Sequence, residues 1–402
     1  MNFSPSQPAV LWRQVGGLAA VQAAITLTWM IYRIYVPQLL AGFGFPGLEQ
    51  PISILEDALA VAIEPIMGGI SDKQRQWMGS RFPLISLGII LSSALFIAIP
   101  AVFIFGKPYQ VFRWVLPVLL VAWALAMAVF RAPAVSLIGQ YAVNTQLPQA
   151  MSVLILIGGL AGAARPIAGD FILSLGPAIT FTIGSLVLLG AVAVLRSQKP
   201  DMSVAQTPVN PTTNQPLSIP ALGLIAVTGM SIACGTRLML GEILPKVLET
   251  QIGGTDVKLL LVGIAIALAF ASLPAGILAT RLGNQRVTIA GLVVAAMLLL
   301  ALVFAQGTGA IWILIIALIA SYSLVANGAI PFVLSLIPPH RGGLGVGVYF
   351  GGFSLAMSLY GVILGPILRI SLLNAAIVGA IAFLLAGACL EYSLLQLKSH
   401  PF

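Results

Sequence analysis

Eleven acidic residues are all that this 402-residue chain carries, and several of them sit inside long apolar runs. Glu56, Asp57 and Glu64 share one run, Arg33 lies in the run before it, and Arg131 lies two runs later. Arg165 and Asp170 stand five residues apart further on, as do Arg237 and Glu242. An ionisable side chain at mid-bilayer costs roughly 2.5–3.5 kcal/mol on insertion scales, so each of these nine must face protein or water. Glu56 and Glu64 are eight residues apart, about two helical turns, and share a face; Asp57 points about 100° away from Glu56, so the two acids are not expected to look at the same cavity. Carboxylates on one shared face can relay a proton or hold a cation, with Arg131 as the partner at comparable depth. A spacing of five falls outside the i,i+4 register. Arg165, Asp170, Arg237 and Glu242 are therefore each expected to reach a different helix.

A second constellation runs from Glu64 to Pro83. Gly68 and Gly69 allow a neighbouring helix to come close. Asp72 can accept hydrogen bonds from a helix N-terminus or pair with an arginine. Lys73, Arg75 and Arg81 hold the segment at one membrane face, and Gly79 precedes Arg81 in the turn. Gly68, Asp72, Gly79 and Arg81 together read as a polar latch that closes one conformation and releases in another. A third feature is the glycine-dense stretch from Gly342 to Gly352, which suits tight helix crossing or bending. Trp29, Tyr32, Tyr35, Tyr141, Tyr349 and Tyr360 offer stacking surfaces, and Gln38, Gln140, Asn144 and Asn327 offer hydrogen bonds. No metal motif, nucleotide loop or local catalytic triad is present, so no metal, no cofactor and no enzymatic activity is expected. Cys234 and Cys389 both lie in apolar runs, where they read as small buried hydrophobes.

The elements that must position these residues follow from composition. Charged residues are 7% of the chain and hydrophobic residues 59%, against roughly 25% charged in soluble domains. Continuous apolar runs of about 20 residues recur throughout, each long enough to cross a hydrocarbon core of about 30 Å. Continuity, rather than alternation, selects helices over a barrel. The expectation is an all-α polytopic membrane protein with twelve transmembrane helices in two six-helix halves. The spans are expected at 15–40, 46–70, 83–105, 114–138, 150–174, 177–195, 219–247, 257–280, 287–305, 311–336, 344–368 and 373–395. The hydrophilic stretch 196–218, rich in Pro, Thr and Asn, reads as a flexible linker between halves 1–195 and 219–402. With the N-terminus in the cytoplasm, ten loop Lys and Arg fall on that side and five on the other, which places both termini and the linker there. The +8 net charge is dispersed, so nucleic acid is not an expected partner. A faint internal repeat supports duplication. Pro37 and Pro65 are spaced like Pro245 and Pro274, Gly68 matches Gly276, and 131–138 resembles 329–337.

The Glu64–Pro83 segment resembles the loop between the second and third helices of the major facilitator superfamily, and more narrowly that of the glycoside–cation symporters, which include melibiose and sucrose carriers. Glu64, Pro65, Gly68, Ser71, Asp72, Gly79, Arg81 and Pro83 fall at that group's spacings without a gap. The resemblance implies a secondary transporter that moves a small organic solute, with a glycoside as first candidate, by alternating access in a bacterial-type inner membrane. Its partners would be the solute, a proton or sodium, and the lipid bilayer, with one copy as the working unit. Melibiose-type carriers place two acids a turn apart before this loop and bind sodium with them. Here Glu64 holds the second position and Ala60 the first. A pigment-associated facilitator group has a similar loop, and supplies the alternative of a non-transporting factor that binds a chlorophyll-like ligand or an assembly partner.

Overall fold

The computed structural model describes residues 9–105, 113–198, 218–251, 256–364 and 371–399; most of the expected linker lies outside them. Among the described residues the only extended pairing is an isolated bridge between Val10 and Ala142. Twelve long helices carry the rest. They are α1 (Trp12–Gly42), α2 (Glu49–Met78), α3 (Phe82–Phe105), α4 (Val115–Val135), α5 (Leu147–Ala163) and α6 (Pro177–Ser197), followed by α7 (Ile219–Leu238), α8 (Val257–Leu282), α9 (Asn284–Phe304), α10 (Thr308–Leu336), α11 (Gly342–Leu359) and α12 (Leu372–Ser399). A π-turn, Met239–Ile243, joins α7 to a further helical stretch, Leu244–Gln251, and a second π-turn, Tyr360–Leu364, follows α11.

Eleven of the described helical segments are long and apolar enough to cross a membrane. Helix α2 is the exception by composition. It is 30 residues long but carries Glu56, Asp57 and Glu64 at its centre, and it is held between α4 and α11 rather than facing lipid alone. Large apolar side chains such as Leu87, Val118, Ile183 and Ile313 are exposed on the outer surface, an arrangement suited to hydrocarbon rather than water.

Two boundaries differ from the expected ones for identifiable reasons. The span expected at 150–174 breaks after Ala163 and resumes as a separate short helix, Gly169–Ser174. Pro166 explains the break, because it lacks an N–H and disfavours helical geometry in the residue before it. Arg165 and Asp170 therefore lie outside the long helix. The loop expected after residue 70 is instead two further turns of α2. Gly79, at φ +69°, ends them in the left-handed conformation that glycine adopts freely.

Helices α1 to α6 pack mainly on one another, and α7 to α12 do likewise. Two principal seams join the groups: α2 against α11, and α5 against α8. The start of α1, the 138–142 turn, the end of α6, the α2–α3 turn and the α10–α11 turn share one end of the bundle, here the α2–α3 end. Leu11 N donates to the Tyr141 carbonyl at 2.7 Å, and Arg75 donates to the Pro339 carbonyl at 3.3 Å. Inside the first group, Tyr32, Trp123, Phe96 and Phe181 stack in sequence with ring centroids 4.3 to 4.9 Å apart. This column is fully buried, and it fixes the position of the Tyr32 hydroxyl.

Candidate functional site

The buried charges form separate clusters. In the first, Glu56 on α2 accepts a hydrogen bond from Tyr32 and lies 3.3 Å from the Arg33 guanidinium, both on α1. Arg33 also stacks over Trp29, 5.1 Å from the ring centroid. One and two turns along α2, Ala60 and Glu64 continue the same face. Glu64 is buried and pairs with Arg131 of α4, which lies over the Phe350 ring of α11. The second carboxylate oxygen of Glu64 is buried without a hydrogen-bond partner among the described residues. Asp57 is half-buried and makes no ion pair among the described residues, but it feels the charges of both Arg33 and Arg131. Against expectation, Glu56 and Asp57 line the same cleft, together with Ala60, Glu64 and Arg131. Their 100° separation turns Glu56 toward α1 while leaving Asp57 between the two arginines. Ala60 faces this cleft, so Glu64 has no acid one turn before it.

Arg237 and Glu242 also depart from expectation. They pair with each other at 3.8 Å. The π-turn at Met239–Ile243 accounts for this, because i→i+5 winding brings a five-residue spacing into line. Glu242 in addition accepts a hydrogen bond from Tyr360, the first residue of the second π-turn, and Arg237 stacks over that tyrosine at 4.4 Å. Arg165 and Asp170 do not meet. Asp170 is exposed on the short helix, and Arg165 borders a cavity of about 370 Å³ lined by Ile25, Thr26, Trp29, Met30, Arg33 and Gly162. This cavity lies between mid-height and the end of the bundle opposite the α2–α3 turn.

At the α2–α3 end, Asp72 accepts hydrogen bonds from the Gly343 and Leu344 amides, at 2.9 and 2.7 Å, in the first turn of α11. Those amides have no partner within their own helix, and the helix dipole favours an anion there. Arg81 donates to Asp72 and to Ser136 just past α4, so one guanidinium joins three segments. Burial draws Arg81 down to about 10, against the pull of Asp72, which leaves it charged at neutral pH. The approach of α2 to α11 depends on glycine. A Cβ on Gly68 would strike the Gly343 carbonyl, and Gly347 and Gly351, one and two turns further along α11, lie against the Glu64 and Val61 carbonyls. The α5–α8 seam is crossed by an uncharged group: Ser272 Oγ of α8 donates to the Ser152 carbonyl of α5 at 3.0 Å, while Asn327 Nδ2 of α10 donates to the Ser272 carbonyl at 2.9 Å from within the second group.

Tyr32, Ser136 and Tyr360 join these clusters without having stood out as charge partners in the sequence. Tyr32 adjoins Arg33, the one local hint. Ser136 and Tyr360 are brought in by helix packing, which no spacing signals. Cys389 is buried, Cys234 is half-buried, and both are free. Among the described residues no group of three His, Cys, Asp or Glu side chains is placed to hold a metal.

Among the described residues, twelve long helices in two packed groups of six have the fold of the major facilitator transporters. Three solved structures illustrate it. The human organic anion transporter MFSD10 (TETRAN) superposes with a TM-score of 0.69 at 13% identity, over 96% of this chain and 100% of that one. A bacterial homologue of the iron transporter ferroportin, in an outward-facing state, gives 0.69 at 17% identity over 96% and 100%. The major facilitator transporter FucP, in an outward conformation, gives 0.65 at 15% identity over 94% and 98%. No protein-family model and no curated protein matches the sequence.

Proposed function

We propose that this protein is a secondary transporter that moves a small organic solute by alternating access, with a proton as the coupling ion. The observation that carries the reading is the asymmetry of the bundle. Both seams are closed at the α2–α3 end, and a charged cavity lies toward the other. Ten loop Lys and Arg against five assign the α2–α3 end to the cytoplasm, and the chain would then divide near 196–218 into its two working halves. The Asp72–Arg81 cluster would act as the latch that holds this end shut. Two of the solved neighbours are described as outward-facing or outward, and a closed cytoplasmic latch suits such a state.

Glu64 is the proposed proton site. Its unpartnered oxygen is buried, and a buried polar atom without a partner is costly unless protonation or a ligand satisfies it. Arg131 pairs with the ionised carboxylate, and protonation of Glu64 would release it. Sodium is disfavoured because Ala60 removes the second carboxylate. The glycoside branch rests on Glu64–Pro83, a segment that builds the latch rather than the cavity, so the solute class has to be read from the cavity. The alternative pigment-binding factor calls for a greasy cavity, whereas Arg33 and Arg165 give this one a charged wall.

The test is solute flux into proteoliposomes under imposed pH and sodium gradients. A pH gradient is expected to drive uptake, and a sodium gradient is not. Glu64→Gln is expected to abolish the pH dependence while exchange of solute persists. Unchanged pH dependence in Glu64→Gln would overturn the proton site. Co-purified pigment without flux of any solute would overturn transport.

A further inference from the structure

The cavity bordered by Arg33 and Arg165 holds an imbalance that the proton site leaves unused. Arg165 projects from the break between α5 and the short helix that follows. No described acid pairs with it, and the charges that act on it belong to two other guanidinium groups, Arg33 of α1 and Arg237 of α7. Two guanidiniums, one on α1 and one on α7, thus lie within electrostatic reach of the one that projects from the break after α5. Like charges that share one cavity repel, and the repulsion grows with each wall that replaces water around them. The acids nearest to two of them are already engaged. Glu56 takes the Tyr32 hydroxyl as well as Arg33, and Glu242 takes the Tyr360 hydroxyl while standing 3.8 Å from Arg237. Arg165 alone has no counter-charge.

We infer that an organic anion supplies it: the transported solute carries a carboxylate or phosphate group held by Arg165, with Arg33 and Arg237 flanking. A guanidinium fork binds such planar or tetrahedral oxyanions through two parallel hydrogen bonds. Trp29, stacked against Arg33 on the cavity wall, offers an apolar face to the organic remainder. Arg33 belongs to the first group of helices and Arg237 to the second, so an anion between them bridges both groups. That is the position from which a solute can favour their closure around it. A neutral glycoside would leave Arg165 unsatisfied in the same space.

The inference rests on the transport reading only for the word solute; binding is tested apart from flux. Purified protein in lipid nanodiscs is titrated with benzoate, succinate, glycerol phosphate and the neutral sugar melibiose, with Trp fluorescence and thermal unfolding as readouts. At least one of the three anions is expected to bind saturably and raise Tm, and melibiose to do neither. Arg165→Gln is expected to weaken that anion by about tenfold or more, as loss of a charge-assisted contact implies. Arg165→Lys, which keeps the charge but not the fork, should fall between. Because Arg165 lies on an exposed break, both variants should elute as the parent does on size exclusion. If neither does, anion competition on the parent by sulfate, expected to weaken binding, decides the matter. Response to melibiose with none to the anions, or unchanged anion affinity in Arg165→Gln, would overturn the site. Anion binding without flux of any solute would overturn transport and leave the site standing.

Discussion

Arg81 carries the proposed latch at the level of single atoms. Its side chain is 1% exposed and that of Asp72 5%, so neither charge has water to fall back on. Removing one partner of such a buried pair typically costs about 3–5 kcal/mol, because the other charge is left uncompensated. Arg81→Ala is therefore expected to destabilise by that amount, as read by denaturant titration in detergent micelles. Asp72→Asn should cost a comparable amount, since Arg81 would keep only Ser136. The double variant Asp72→Asn/Arg81→Gln, which buries no charge, should cost clearly less than the sum; strict additivity would mean that the two groups do not act as a pair. The kinds of partner that Asp72 takes, an arginine and a helix N-terminus, are those the sequence suggests, but that α11 supplies the N-terminus is set by packing. Those of Arg237 and Glu242 are not legible in the same way. Regular α-helical spacing keeps them apart, and only the π-turn brings them together.

Helix α11 shows how an element converts composition into geometry. Gly343, Gly347 and Gly351 repeat every four residues on one face, and α2 lies along that face. A Cβ added at Gly68 meets the backbone carbonyl of Gly343, which cannot swing aside as a side-chain end would. Gly68→Ala should therefore part α2 from α11 and shift the protein toward the state open at the α2–α3 end. Gly69→Ala is a matched control, since its Cβ would make only ordinary contact, 3.8 Å from Leu344 Cδ1. With Cys234 and Cys389 replaced by alanine, spin labels at Gln76→Cys and Ser335→Cys should report longer distances for Gly68→Ala and none for Gly69→Ala. Equal behaviour of the two would show that glycine is not what sets the approach. The twelve helices themselves are legible, because continuous apolar runs of this length admit little else. The ends are less so. Two extra turns of α2 are stabilised by contacts with α11 that appear only on folding. The break in α5 was signalled by Pro166, but the apolar residues that follow it masked the signal.

At the scale of the whole molecule, the internal repeat becomes a matched pair of seams. Gly68 of α2 meets the first turn of α11, and Gly276 of α8 meets the first turn of α5, where its Cβ would lie 2.8 Å from the Pro148 carbonyl. Pro133 and Pro331 are both buried, near the ends of α4 and α10. The symmetry stops at the charges. Where α2 has Asp72, α8 has Arg281, exposed and without an ion pair among the described residues. One seam is therefore ionic and the other is crossed by a serine hydroxyl, so the two should release at different cost. In the proposed cycle, opening the α2–α3 end requires both to part, and a lock on the uncharged seam alone should stop transport. Ser152 and Gly276 suit such a lock. A Cβ on Gly276 would lie 2.8 Å from that of Ser152, and a small outward shift of α8 brings the pair to the about 3.8 Å typical of disulfides. In a background free of Cys234 and Cys389, oxidised Ser152→Cys/Gly276→Cys is expected to lose flux while still binding solute from the opposite face, and a reductant should restore it. Undiminished flux in fully cross-linked protein would mean that the α5–α8 seam does not open during the cycle, and the two halves would then have to move about some other axis.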